Sequence, residues 1–163
     1  MWPERRDILL LQEADNVQSQ TNSSSAEAFA EVLGRHLCFR HWGGPGSVAM
    51  AVVVHARLVR LVRSIKTAER GVSIMLKEAD KKPIQIICVH GYHEDDFAEG
   101  TLAACSELIQ IEDGWRGRDI AVVGDFNIDL SCKFGATLGV SADDEINADL
   151  LTCFAENHGM EVV

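Results

Sequence analysis

Three apolar runs along this chain end in the same manner. Ile8-Leu9-Leu10-Leu11 is followed by Gln12-Glu13, Ile84-Gln85-Ile86-Ile87-Cys88-Val89 by His90, and Ile120-Ala121-Val122-Val123 by Gly124-Asp125-Phe126-Asn127. Short apolar runs bounded by polar or turn residues predict buried strands, here over 7–13, 84–90 and 119–124. Each strand would deliver a polar, chemically capable residue at its carboxyl end. Further strands are expected at 36–41, 48–55, 57–63 and 71–77, with a turn at Gly43-Gly44-Pro45-Gly46 and a polar loop over 77–83. Ser24 or Ser25 can cap a helix over 26–34, with Ala26, Ala28, Phe29, Ala30, Val32 and Leu33 as its apolar side and Gly34 as its stop.

Between 95 and 112 the pattern changes to helical spacing, carried by Phe97, Leu102, Cys105, Leu108 and Ile109. A loop over 128–142 leads to a helix over 144–157, with Ile146, Leu150, Leu151 and Phe154 on one face and His158-Gly159 at its end. Met160-Glu161-Val162-Val163 reads as the start of another strand. Adjacent strands followed by helix, strand and helix predict an α/β domain, a mixed sheet system with helices outside.

A chain of 163 residues suits one domain with a real core, and 47% hydrophobic residues argue against disorder. No apolar stretch approaches the roughly 20 residues of a membrane span, and the N-terminal pattern is not that of a signal peptide. The five cysteines, Cys38, Cys88, Cys105, Cys132 and Cys153, include no closely spaced pair. They read as reduced thiols in an intracellular protein rather than as a zinc site.

The net charge of −10 argues against unaided, sequence-independent binding of nucleic acid. It does not exclude a phosphoester enzyme, because carboxylates that hold Mg²⁺ count as negative until the metal arrives. The charge is uneven. Arg57, Arg60, Arg63 and Lys66 share a stretch without an acid, which suits either a solvated strand edge or a phosphate-facing surface. Glu94-Asp95-Asp96 and Asp143-Asp144-Glu145 read as solvated loops or helix starts.

Asp125 and Asn127, two apart at a strand end, point the same way. Such a pair can hold a phosphate and its attacking water together. With Leu11-Gln12-Glu13, Arg70 and Val89-His90, in that order, Gly124-Asp125-Phe126-Asn127 resembles the endonuclease/exonuclease/phosphatase superfamily. The resemblance runs over nearly the whole chain as order and spacing rather than identity. It implies a four-layer sandwich, two packed mixed β-sheets flanked by helices. It implies that Glu13 ligates Mg²⁺, with Mn²⁺ a substitute, and that His90 contacts the scissile phosphate. Asp125 would orient or deprotonate the attacking water, Asn127 would position the phosphate, and Arg70 would buttress His90 or the phosphate.

The implied activity is metal-dependent phosphodiester cleavage, with nucleic acid as substrate. Gly124-Asp125-Phe126-Asn127-Ile128-Asp129 and Phe154-Ala155-Glu156-Asn157-His158-Gly159-Met160 are similar to phrases of the retrotransposon type of endonuclease, and the abasic-site type is close. An inositol-phosphate phosphatase and a catalytically silent remnant are the alternatives. Three departures matter. No strand with an Asn precedes Asp7, no Ser-Asp-His segment follows Asn127, and His93-Glu94 stands where the family often has Pro or Asn. The expectation is an incomplete domain, residues 1–163 being the middle of a longer one or a degenerated copy, with impaired activity.

Overall fold

The computed structural model describes residues 8–12, 28–33, 36–41, 50–68, 70–92, 97–110, 115–131 and 141–162. They form two four-stranded sheets. The first contains β1 (Ile8–Gln12), β2 (Ala28–Leu33), β3 (His36–His41) and β4 (Met50–His55), in the order β1-β4-β3-β2 and antiparallel throughout. The second contains β5 (Val62–Ala68), β6 (Gly71–Leu76), β7 (Ile84–His90) and β8 (Asp119–Asp125), in the order β5-β6-β7-β8. Its first three strands are antiparallel and β7 pairs with β8 in parallel. A parallel pair needs a crossover, and a π-helical segment (Phe97–Leu102) running into helix α2 (Ala103–Gln110) lies between the two strands in sequence. The architecture is the incomplete α/β sandwich that the strand pattern predicts, two packed sheets with helices outside.

Strand alternation sorts the side chains into two cores. Between the sheets, Met50, Val52 and Val54 of β4 meet Val72 and Ile74 of β6 and Cys88 of β7, with Ile8, Leu10, Ile65 and Ile86 packed against them. On the outer face of the second sheet, Ala68, Ile87 and Val89 meet Cys105, Leu108 and Ile109 of α2, joined by Ile120 and Val122 of β8. Buried Gln85 ties these layers together. Its Nε2 donates to Ser73 Oγ (2.9 Å) and to the Leu108 carbonyl (2.8 Å), while its Oε1 accepts from Arg118 Nε (2.6 Å). Arg118 also donates to the Ile109 carbonyl (2.6 Å), so a cation closes the C-terminal end of α2, where the helix dipole favours one.

Four expectations are corrected. Residues 28–33 form a strand, not part of a helix over 26–34. Ala28 to Leu33 pair in register with His41 to His36, and this pairing outweighs the helix preference of alanine. Residues 57–63 are not one strand. Helix α1 (Ala56–Val59) is capped by His55, whose Nδ1 accepts from Arg57 N–H (3.2 Å), and β5 begins only at Val62. Leu58, Val59 and Val62 all turn to the core while Arg57, Arg60 and Arg63 are exposed, which is helical rather than alternating spacing.

Residues 160–162 do not pair as a strand. Helix α3 (Ala142–Asn157) ends in a Schellman motif. Gly159, at φ +67°, donates to the Glu156 carbonyl (3.0 Å), and Met160 N–H donates to the Ala155 carbonyl (2.8 Å), which turns Met160 back onto the α2-side core. Finally, α3 buries Asn147, Ala148, Leu151 and Ala155, whereas Ile146 and Leu150 of the expected face are exposed. The start of α3 follows local rules. Ser141 accepts from Asp144 N–H (3.0 Å), and Asp143, Asp144 and Glu145 fill the first turn, where the dipole favours acids.

Two outcomes test this packing. Ile74 is fully buried between the sheets, so Ile74→Ala should lower unfolding stability by about 2–5 kcal/mol in urea titration. Burial pushes the Cys88 thiol up from 9.0 to about 11 and the Cys105 thiol to about 12. The folded state therefore keeps these protons while the unfolded chain sheds them above pH 9, so stability should be level below pH 9 and fall as pH rises towards 11–12. The urea midpoint should drop between pH 8 and 10.5, and Cys105→Ala should remove part of the slope.

Candidate active site

The parallel pairing of β7 and β8 sets the site. It aligns Val89 with Gly124 and His90 with Asp125, so two strands end side by side. Ile86 and Cys88 face the space between the sheets, and alternation sends His90 the same way. Ile120 and Val122 face α2, so Asp125 also points towards the space between the sheets. In β1, Gln12 follows Ile8 and Leu10 onto that face. Three strands from two sheets therefore direct Gln12, His90 and Asp125 to one end of the sandwich.

Gln12 joins the sheets there. Its Oε1 accepts from the Asp125 N–H (3.0 Å) and its Nε2 donates to the Val89 carbonyl. The approach requires glycine at 124. A Cβ there would lie 1.8 Å from the Val89 carbonyl oxygen and 2.7 Å from Gln12 Nε2, and the backbone holds φ +153°. One side chain thus spans the ends of β7 and β8 from the opposing sheet.

Beyond the strand ends, the Gly91 carbonyl gathers the remaining side chains. Asn127 Nδ2 donates to it (2.7 Å), as does Arg70 Nη1 (3.2 Å). Gly91 N–H in turn donates to the Asp125 carbonyl (2.7 Å). A Cβ at Gly91 would lie 2.5 Å from the Phe126 carbonyl oxygen, so this contact is backbone on backbone. Asn127 adopts φ +53°, a conformation Asn tolerates better than most residues. Its N–H donates to Asp125 Oδ1 (2.9 Å), closing an Asx turn that aims the carboxylate. Arg70 lies 3.9 Å over the Tyr92 ring, a cation–π contact, and its carbonyl accepts from His90 N–H (2.9 Å). Tyr92 is held by its own N–H, which donates to Thr101 Oγ1 (2.8 Å).

The sequence-predicted residues are thus placed as follows. His90, Asp125, Asn127 and Arg70 come together around Gly91; Asp125 is exposed and His90 is 8% exposed. Glu13 lies outside the described residues, as do His93 and Glu94. The sequence pattern gives no role to Gln12, Gly91 or Tyr92. Gln12 stood inside the Leu11-Gln12-Glu13 anchor, and Gly91 was a strand-end glycine that a close backbone approach would demand. After Asn127 the chain is tied to the start of α3. Asp129 N–H donates to Asp144 Oδ1 (3.1 Å), and Ser131 N–H donates to Asp129 Oδ1 (2.8 Å). The Ser131 contacts hold the Asp129 carboxyl below its usual range, and Ser141 with the Asp129 N–H does the same for Asp144.

Among the described residues, no group of three His, Cys, Asp or Glu side chains is arranged to hold a metal ion. None of the described helices is long and apolar enough to cross a membrane. Compared with known proteins, the chain matches no family model and no curated protein.

The Gln12 bridge yields a direct test. Gln12→Met leaves the Asp125 N–H and the Val89 carbonyl without this partner and should cost about 1–3 kcal/mol. Hydrogen exchange at the Asp125 amide should quicken. Gly124→Ala should cost more than Gln12→Met, because it forces backbone apart rather than removing a side chain. Equal urea midpoints for both variants and the parent chain would sink the bridge as a structural element.

Proposed function

We propose that this chain forms the body of a metal-dependent phosphodiesterase domain that acts on nucleic acid, as its resemblance to the endonuclease/exonuclease/phosphatase superfamily implies. The observation that supports it most is the convergence of His90, Asp125, Asn127 and Arg70 at one end of the sandwich. Asp125 is the residue to orient the attacking water and accept its proton. Its carboxylate is exposed, and the bond from Asn127 N–H steadies it in one direction. Asn127 keeps a second amide hydrogen beyond the one given to Gly91, which suits a phosphoryl oxygen. His90, beside Asp125 in register, would donate to charge developing on the phosphate. Arg70 acts through others, holding Gly91 and Tyr92 in place.

The donor type fits Mg²⁺ or Mn²⁺. These hard cations take one or two carboxylates and keep several waters. Glu13 would be the ligand, and the exposed carboxylate of Asp125 would act on the attacking water. The metal, when bound, would polarise the phosphoryl oxygens and lower the pKa of a bound water.

Cleavage of supercoiled plasmid and of an abasic-site oligonucleotide in Mg²⁺ tests this reading, for residues 1–163 and for any extended native chain that contains them. Residues 1–163 should nick little or not at all, and the extended chain should nick. Asp125→Ala should slow the extended chain by a factor of about 10²–10⁴, the usual contribution of a positioned acid or base. Phosphate release from inositol phosphates without nicking would favour the phosphatase alternative. No turnover of either substrate would favour the silent remnant.

A further inference from the structure

The cations of this acidic chain are segregated. Eight of its 15 Lys and Arg residues fall between positions 57 and 82, against three carboxylates, although the net charge of the whole is −10. The fold draws several of them together at β5, the outer strand of the second sheet among the described residues. Arg63 and Lys66 are exposed on it, and Arg60 is exposed in the turn just before it. Arg63 Nη2 donates to the Lys77 carbonyl (3.2 Å), which fastens the strand to the following loop. In that loop Lys77 Nζ donates to the Lys81 carbonyl, and Lys81 Nζ pairs with Glu78 at 2.6 Å. Arg60 is close enough to act on the Glu78 carboxyl as well. Two cations, Lys81 and Arg60, thus act on one carboxylate, Arg63 and Lys77 bond to backbone carbonyls of the same loop, and the exposed Asp80 follows in the chain.

The strand connects this cluster to the site. Val62, at the cationic end, pairs with Leu76, whereas Ala68 pairs with Gly71, which pairs with Val89 beside His90. On β5 itself Arg63 and Lys66 lie three residues apart, about 10 Å at roughly 3.3 Å per residue, on an edge that leads towards the end carrying Arg70. That spacing matches about three base pairs of duplex, whose phosphates line both strands.

We propose that the β5 edge, from Arg60 through Arg63 to Lys66 with Lys77 and Lys81 beside it, docks the sugar-phosphate backbone of duplex DNA. The choice of nucleic acid as the polyanion rests on the phosphodiesterase reading; the clustering of charge does not. The surface makes backbone contacts only, so it contributes affinity and direction of approach rather than sequence preference. It also reconciles a net charge of −10 with a nucleic-acid substrate, because steering depends on the local field where the substrate arrives.

Fluorescence anisotropy of a short labelled DNA duplex over a salt series tests the proposal. The chain should bind at low salt, and the triple variant Arg60→Gln, Arg63→Gln, Lys66→Gln should bind more weakly. The slope of log affinity against log salt should fall by about 0.9 for each phosphate contact removed. Glu78→Gln removes the carboxylate among the cations and should tighten binding, a gain that misfolding cannot produce. Absence of binding by the parent chain, or slope and affinity unchanged in the variants, would leave these cations as edge protection against strand pairing and overturn the proposal. Equal variant sensitivity for phosphatidylserine vesicles, with no duplex binding, would overturn it in favour of a lipid surface. A duplex held by these cations but never cleaved in Mg²⁺ by the extended chain would uphold the surface and sink the catalytic reading. Cleavage with an unchanged salt slope in the triple variant would do the reverse.

Discussion

The side-chain amide of Gln12 is the contact on which the candidate site depends. It reaches from the first sheet to the second and bonds to the ends of two parallel strands at once, through the Val89 carbonyl and the Asp125 N–H. A primary amide suits this task because it donates and accepts from one rigid plane. The apolar contacts between Met50, Val52, Val54 and Ile74 hold the sheets together, but they are non-directional and do not set how the strand ends are aligned. The amide supplies that alignment. The absence of a side chain at Gly124 is the other half of the same constraint, since any Cβ would occupy the space of the bridge.

From this alignment the rest of the site follows by short backbone links. Gly91 bonds to the Asp125 carbonyl, Asn127 and Arg70 bond to the Gly91 carbonyl, and Asn127 N–H bonds back to the Asp125 carboxylate. The ring of contacts contains two chemically capable side chains and fixes each by one bond, the Asp125 carboxylate from Asn127 N–H and the Asn127 amide to the Gly91 carbonyl. Rigid support of this kind is what positions a catalytic group before substrate arrives. Arg70 contributes as a strut, its guanidinium spread over Tyr92.

Charge and architecture divide the molecule in a related way. The second sheet carries cations along β5 at one side, while the parallel β7–β8 pair carries the polar strand ends at the other. The Asp129 N–H donates to the Asp144 carboxylate at the start of α3, so the chain leaving the site is fastened to a helix whose first turn is acidic. The net charge of the chain therefore describes none of its individual surfaces.

The sequence by itself determined the strands whose apolar runs are bounded by turn residues. The strands expected at 36–41, 71–77, 84–90 and 119–124 form to within a residue, because an apolar run and its punctuation are local properties, although β8, expected to be buried, is half-buried to exposed along its length. It also marked His90, Asp125 and Asn127, since strand ends that carry polar groups are visible without a fold. The helix expected over 26–34 and the strand expected over 57–63 were decided elsewhere. Ala28–Leu33 became a strand because β3 was available to pair with it, and Arg57 to Arg60 left the sheet because Leu58 and Val59 had a core to reach. Met160 was drawn into the closing motif of α3 instead of a strand. The role of Gln12 lay beyond any local pattern, because its partners are 77 and 113 positions away and meet it only when two sheets pack.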